Sequence, residues 1–224
     1  MTPKPKPKRF GEGDAVPSLV PPAIAAGSLA ALGQPTLEAG GGALLRPWLI
    51  SDAGGVVEAF RDPAIQRWHV RGADSLEEAQ GWIRRWQSTW EDETEGHWAV
   101  AGAESGALLG RLSLKAWNLT DGTAEVAYWT VPAARGTGVC PRAVTALADW
   151  ALDEGRFHRL ELAHSTANPA SCRAAVKAGF TEEGVRRGAA LHADGWHDMH
   201  LHARLAQDGR GSCRPAGSAS PAGD

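Results

Sequence analysis

Apolar positions along the chain change spacing several times, and each change marks an element. The chain starts with alternating Lys and Pro (Pro3 to Lys8) and drifts into Pro, Ala and Gly up to Gly40-Gly41-Gly42. That composition offers little to bury and many breaks, so residues 1–42 are expected to form a disordered tail. Ala43 to Pro47 reads as a strand, and Ser51 to Phe60 as a helix weakened by Gly54-Gly55. Ser75, with Glu78 three residues on, has the form of a capping box. Leu76, Ala79, Ile83, Trp86 and Trp90 then recur at helical spacing.

Past that helix the period drops to two. His97 to Glu104 and Ala107 to Lys115, joined through Ser105-Gly106, predict an antiparallel hairpin, with Leu108, Leu112 and Leu114 on one face. Thr123 to Val131 is a further strand. A helix follows from Pro141 to about Leu152, striped by Val144, Leu147 and Trp150/Ala151. Arg159 to His164 is a strand, and Asn168-Pro169 opens a helix that Gly179 closes. Strands over Thr181 to Gly188 and Trp196 to Leu205 end the domain. This order predicts an α/β layered fold, a mixed and mostly antiparallel sheet with helices on both faces. The domain is expected to span 43–206, with 207–224 as a second disordered tail.

Composition narrows the class. A net charge of −3 over 224 residues gives no global field for nucleic acid or a membrane surface, so neither partner is expected. The basic start (Lys4, Lys6, Lys8, Arg9) could touch RNA, but such runs are usually solvated. Three scattered cysteines, at 140, 172 and 213, form no disulfide framework and fit a reducing, cytoplasmic setting. No apolar run reaches the length of a membrane span. A metal is not expected either. Asp198, His200 and His202 alternate onto one strand face, but at ~3.3 Å per residue the outer two lie ~13 Å apart, too far to share an ion.

Chemistry concentrates in the turn from Ala134 to Pro141. It joins a strand to a helix, so its amides project from a helix N-terminus, where an anion is favoured and glycines allow close approach. A plain tight turn would use the same residues. The stretch Glu125 to Val144 (EVAYWTVPAARGTGVCPRAV) resembles the core motif of the GNAT acetyltransferase superfamily. Asn168-x-x-Ser171 running to Lys177-Ala-Gly-Phe180, and the closing Gly195 to Leu205 strand, are similar to its RimJ/RimL-type branch.

The resemblance implies an acetyl-CoA-dependent N-acetyltransferase acting on a primary amine by direct transfer. The pyrophosphate would sit on Arg135, Gly136, Thr137, Gly138, Val139 and Cys140, with Asn168 and Ser171 along the pantetheine. It further implies that Ser171 hydrogen-bonds the CoA sulfur and that a backbone amide around Trp129 to Val131 meets the thioester carbonyl. Two departures stand out. Cys140 takes a position usually held by Gly or Ala, and Pro141 removes one amide donor. Ser171 and Asn168 equally suit a helix first turn and its cap. Glu125, a carboxylate among apolar neighbours, is the candidate base acting through water, or else an exposed strand charge. His164 and His197 come next. Trp68, His69, Trp82, Trp86 and Trp90 are expected to wall the acceptor groove or pack the core. Still open are the acceptor (a protein N-terminal α-amine or a small amine), homodimer formation, and a non-catalytic CoA-binding sensor.

Overall fold

The computed structural model describes residues 19–208. Eight strands form one sheet: β1 (Leu37–Gly40), β2 (Ala43–Pro47), β3 (Gly96–Gly102), β4 (Leu108–Asn118), β5 (Thr123–Thr130), β6 (Arg159–Ser165), β7 (Thr181–His192) and β8 (Gly195–Leu205). Their order is β1-β2-β3-β4-β5-β6-β8-β7. Among the described strands only β5 and β6 run parallel. The helices are α1 (Ser28–Leu32), α2 (Ala53–Ala59), α3 (Pro63–Gln66), α4 (Leu76–Glu91), α5 (Val139–Asp153) and α6 (Pro169–Lys177). Strand alternation puts two apolar faces on the sheet. Val126, Leu160 and Leu162 meet α5 and α6 through Val144, Leu147 and Ala175, while Ala99 and Trp129 meet α2 and α4 through Val56, Ile83 and Trp86. The expected layered α/β fold, with helices on both faces of a largely antiparallel sheet, is the observed one.

Local signals explain most boundaries. The Ser75 hydroxyl accepts from the Glu78 amide at 3.2 Å, but the Glu78 carboxylate reaches back to the Asp74 amide, at 2.9 Å, rather than to Ser75. Asn168 caps α6 by accepting from the Ser171 amide at 3.2 Å. α5 begins at Val139, two residues before the expected start. Pro141 is accommodated because a first-turn N–H has no intrahelical acceptor to reach.

The expectation of a disordered tail up to residue 42 is corrected over 24–42. Ile24 and Leu29 are buried, and β1 pairs with β2. The segment before β1 is held from far along the chain: the Glu93 carboxylate caps α1 through the amides of Gly27, Leu29 (2.8 Å) and Ala30 (3.1 Å), and Trp98 Nε1 donates to the Pro35 carbonyl at 2.9 Å. Local composition carries no trace of these contacts. The tail expectations for 1–18 and 209–224 lie outside the described residues.

Candidate functional site

The parallel pair makes the site. β5 and β6 are in register only from Thr123–Arg159 to Glu125–Glu161. Beyond that, β5 stays with β4 and β6 with β8, so the strands part and leave a β5 edge open. Val131 donates its amide to the Leu109 carbonyl on the β4 side at 3.0 Å. By strand alternation the amides of Tyr128 and Thr130 face the open edge. This narrows the sequence expectation of an amide around Trp129 to Val131 to Thr130. The amides of Trp129 and Val131 belong to the sheet side, and Val131 packs between the two apolar layers instead of presenting a donor.

A cleft of about 570 Å³ runs along this open edge. One wall is the turn before α5. Gly136 and Gly138 have φ of +78° and +79°, a backbone that side chains rarely adopt. A Cβ on Gly138 would come within 2.8 Å of Arg142 Nη1. Gly138, Val139 and Cys140 line the cleft at the positive end of α5. The Arg135 guanidinium lines it too, but is held by the Asp62 carboxylate and by the Thr130 carbonyl (3.2 Å from Nε), so it fixes the turn's shape. Arg135 in turn holds the Asp62 carboxyl below its usual range. Thr137 is outside the lining. Its hydroxyl donates to the Ala134 carbonyl at 2.8 Å and its own carbonyl accepts from Arg142 at 3.1 Å, again stabilising the turn.

The opposite wall is α6 and its Asn168 cap, where Asn168, Ser171, Arg173 and Lys177 line the cleft. Ser171 Oγ and Tyr128 Oη are 2.6 Å apart. Burial raises the Tyr128 phenol above its ordinary value, so it stays protonated, and when it donates to Oγ the serine proton is free for another acceptor. Burial also pushes the Cys140 thiol up to about 11, which leaves it a packed, unreactive group.

Toward the acceptor end the lining comes from α3 and the segment after it, through Ile65, Trp68 and His69. His69 Nδ1 pairs with the Ile65 carbonyl at 2.8 Å, which makes Nδ1 the protonated nitrogen and leaves the Nε2 lone pair available. Burial, with Arg111 and Lys115 nearby, lowers its pKa. Of the other indoles expected at a groove, Trp86 and Trp90 are buried, and Trp82 packs edge-on to Phe60. Glu125 is not among the residues lining the cleft. It sits on the Trp129 face, about two-fifths exposed, with its carboxylate 3.3 Å from Lys115 Nζ. Sequence reasoning did not single out His69 as a titrating group, because only the fold brings it to β5.

Glycine turn, splayed parallel strands and the cleft between them define an acyl-CoA-binding acetyltransferase fold. The family model described as an acetyltransferase (GNAT) domain matches residues 43–181, and the chain belongs to that family. It is 30% identical over 172 residues to the probable N-acetyltransferase YjcK of Bacillus subtilis (strain 168), covering 73% of this chain and 94% of that one. The ribosomal-protein-serine acetyltransferase of Escherichia coli (strain K12) is 30% identical over 98 residues, 44% of this chain and 55% of the relative. Among solved structures, the fold is similar to RimL, a ribosomal alpha-N-protein acetyltransferase in complex with coenzyme A. The TM-score is 0.71 and the identity 19%, over 76% of this chain and 98% of RimL. It is also similar to the microcin self-immunity acetyltransferase MccE in complex with acetyl-CoA and AMP, with a TM-score of 0.69 and 17% identity over 75% and 94%.

No helix among the described residues is long and apolar enough to cross a membrane. The expectation of no metal rested on one strand, and the fold rearranges its members. Asp198 turns to the Gly188 amide at 2.7 Å, whereas His200 and His202 converge with His164 and Cys172 from other elements.

Proposed function

We propose that this GNAT acetyltransferase transfers an acetyl group from acetyl-CoA to the α-amine of a protein or peptide N-terminus. The observation that carries the reading is the open cleft itself, with helix-end amides and glycines on one wall and a lone-pair imidazole beside an indole at the other end. Acetyl-CoA brings the activated thioester. The protein's residues supply the rest.

Gly136, Gly138, Val139 and Cys140 give the close-approaching backbone that a pyrophosphate needs, and Pro141 costs one donor without closing the turn. Arg142, Arg173 and Lys177 add cationic side chains around it. The open-edge amides of Tyr128 and Thr130 are the donors for a thioester carbonyl oxygen as negative charge develops on it. Ser171, with Tyr128 donating to its oxygen, turns its hydroxyl proton to the departing sulfur. His69 takes the amine proton on Nε2, because it is neutral, lies in the cleft and has its other nitrogen fixed. Glu125 stands outside the lining and is engaged by Lys115, so it reaches the amine only through water.

The N-terminal acceptor is supported by the ribosomal-protein-serine relative and by a cleft lined by Ile65, Trp68 and His69 beside the open strand edge. Thiol release from acetyl-CoA, measured against Ser-, Ala- and Met-starting peptides and a panel of small amines, tests it. Peptide turnover at least tenfold above any small amine is expected. Turnover of small amines alone would assign the acceptor to that class, and binding of acetyl-CoA with no turnover of either would favour a CoA-binding sensor.

A further inference from the structure

Behind the α6 wall, on the sheet face away from α4, four donor side chains from three elements meet. His164 lies on β6, directly opposite His200 of β8, and His202 follows two residues on along the same face. Cys172 comes from the first turn of α6. Their ligating atoms all lie within 4.8 Å of one another. The Nε2 atoms of His164 and His202 point at each other at 3.1 Å, with the rings stacked at 5.1 Å. His202 is fully buried and His164 is 5% exposed. The Nδ1 atom of His200 is buried without a hydrogen-bond partner, while the His202 ring bonds to the Phe180 backbone. Buried polar atoms are seldom left so, since each loses its hydration with nothing in return. One proton shared between two imidazoles accounts for the His164–His202 contact and leaves His200 Nδ1 unexplained.

We propose that His164, Cys172, His200 and His202 bind one zinc ion as a structural centre. Three imidazoles and a thiolate form a borderline-soft donor set of the kind zinc takes in closed tetrahedral sites. Ligands of such an ion stand ~3.3–3.8 Å apart, so a gathering of about 1 Å completes the shell. Coordination releases the Cys172 thiol proton to solvent. The neighbours suit it. The His164 Nδ1–H donates to the Ser165 carbonyl at 2.9 Å, which leaves Nε2 as the donor atom, and the Glu182 carboxylate lies 3.9 Å from His200 Nε2, on the side away from an ion held by Nδ1. Burial keeps His164 and His202 neutral, the form that ligates. Four protein ligands leave no open position, so the ion takes no direct part in acetyl transfer. Its effect passes through Cys172, which follows Ser171. The ion pins the first turn of α6 to β6 and β8, and so fixes the cleft wall that carries Ser171 and Asn168.

Tag-free, full-length protein stripped with a chelator and titrated with Co²⁺ tests the assignment without any acetyl-CoA. One equivalent should bind, giving tetrahedral visible bands and a thiolate-to-cobalt charge-transfer band in the near ultraviolet, and Zn²⁺ should bleach both. Cys172→Ser should lose the charge-transfer band, and His200→Asn, at a partly exposed ligand, should weaken binding at least tenfold. Zn²⁺ should also raise the melting temperature of the parent and not of the variants. Substoichiometric uptake, a spectrum lacking the thiolate band, or unchanged spectra in both variants would overturn the site. A failed acetyl-CoA assignment would leave these spectra unaltered.

Discussion

The coenzyme half of the cleft is built largely of backbone, whereas the acceptor half is built of side chains brought in from separate elements. On one side stand a glycine turn, two open-edge amides and two helix N-termini; on the other, Trp68 and His69 arrive from beyond α3, with Glu125 outside the lining and paired to Lys115. A backbone site tolerates most side-chain changes but not a new Cβ. A side-chain site can lose its chemistry to one substitution while the fold stands. The Asp62–Arg135 pair links the two halves, tying α3 to the glycine turn.

The largest break is expected in the backbone half. Gly138→Asp puts a side chain on a left-handed residue, crowds Arg142 and adds a negative charge at the helix end. Acetyl-CoA affinity should fall by ~100-fold or more, about 3 kcal/mol, in calorimetry. Parent-like affinity would remove the turn from the site. Next comes Ser171→Ala, expected to lower kcat by on the order of 10²-fold with little change in KM for acetyl-CoA, and without recovery at high pH. A rise in KM alone would make Ser171 a binding residue.

The acceptor half is sharpened by pH. Burial lowers the His69 pKa, so the ring is charged only below the ordinary imidazole range; parent activity should rise with pH through that depressed value and level off above it. His69→Gln should lose ~10²-fold near neutral pH and regain part of it where the amine is already deprotonated. An unaltered pH–rate profile in this variant would take the base role from His69. The smallest effect is expected for Glu125→Gln, whose half-exposed pairing with Lys115 contributes little. A rate change within about threefold is expected at neutral pH; a loss near 10²-fold would make Glu125 the base, acting through water.

How much the sequence disclosed follows the same division. The turn from Arg135 to Cys140, the Asn168 cap and the strand before them were legible because glycines, caps and alternation are local signals. Ser171 was reached through its motif. The direction of each amide was not legible, since it depends on which neighbour β5 pairs with; within the expected range of Trp129 to Val131 only Thr130 faces the open edge, and Tyr128 joins it from outside that range. α1 was missed because Glu93, which caps it, lies more than 60 residues away, and β1 because the Gly40-Gly41-Gly42 run that turns it onto β2 was read as part of a tail. The His164, Cys172, His200 and His202 cluster was missed for the same reason as α1. Spacing along one strand could show only that Asp198 and His202 do not share an ion.

Hydrogen exchange of the backbone amides, with and without acetyl-CoA, tests the central claim at the atoms concerned. The account predicts that saturating acetyl-CoA slows exchange at Gly136, Gly138, Val139 and Cys140 and at the open-edge amides of Tyr128 and Thr130, while Val131, already bonded to Leu109, changes little. Acetyl-CoA binding that leaves the 136–140 amides unprotected, with protection appearing elsewhere, would contradict it.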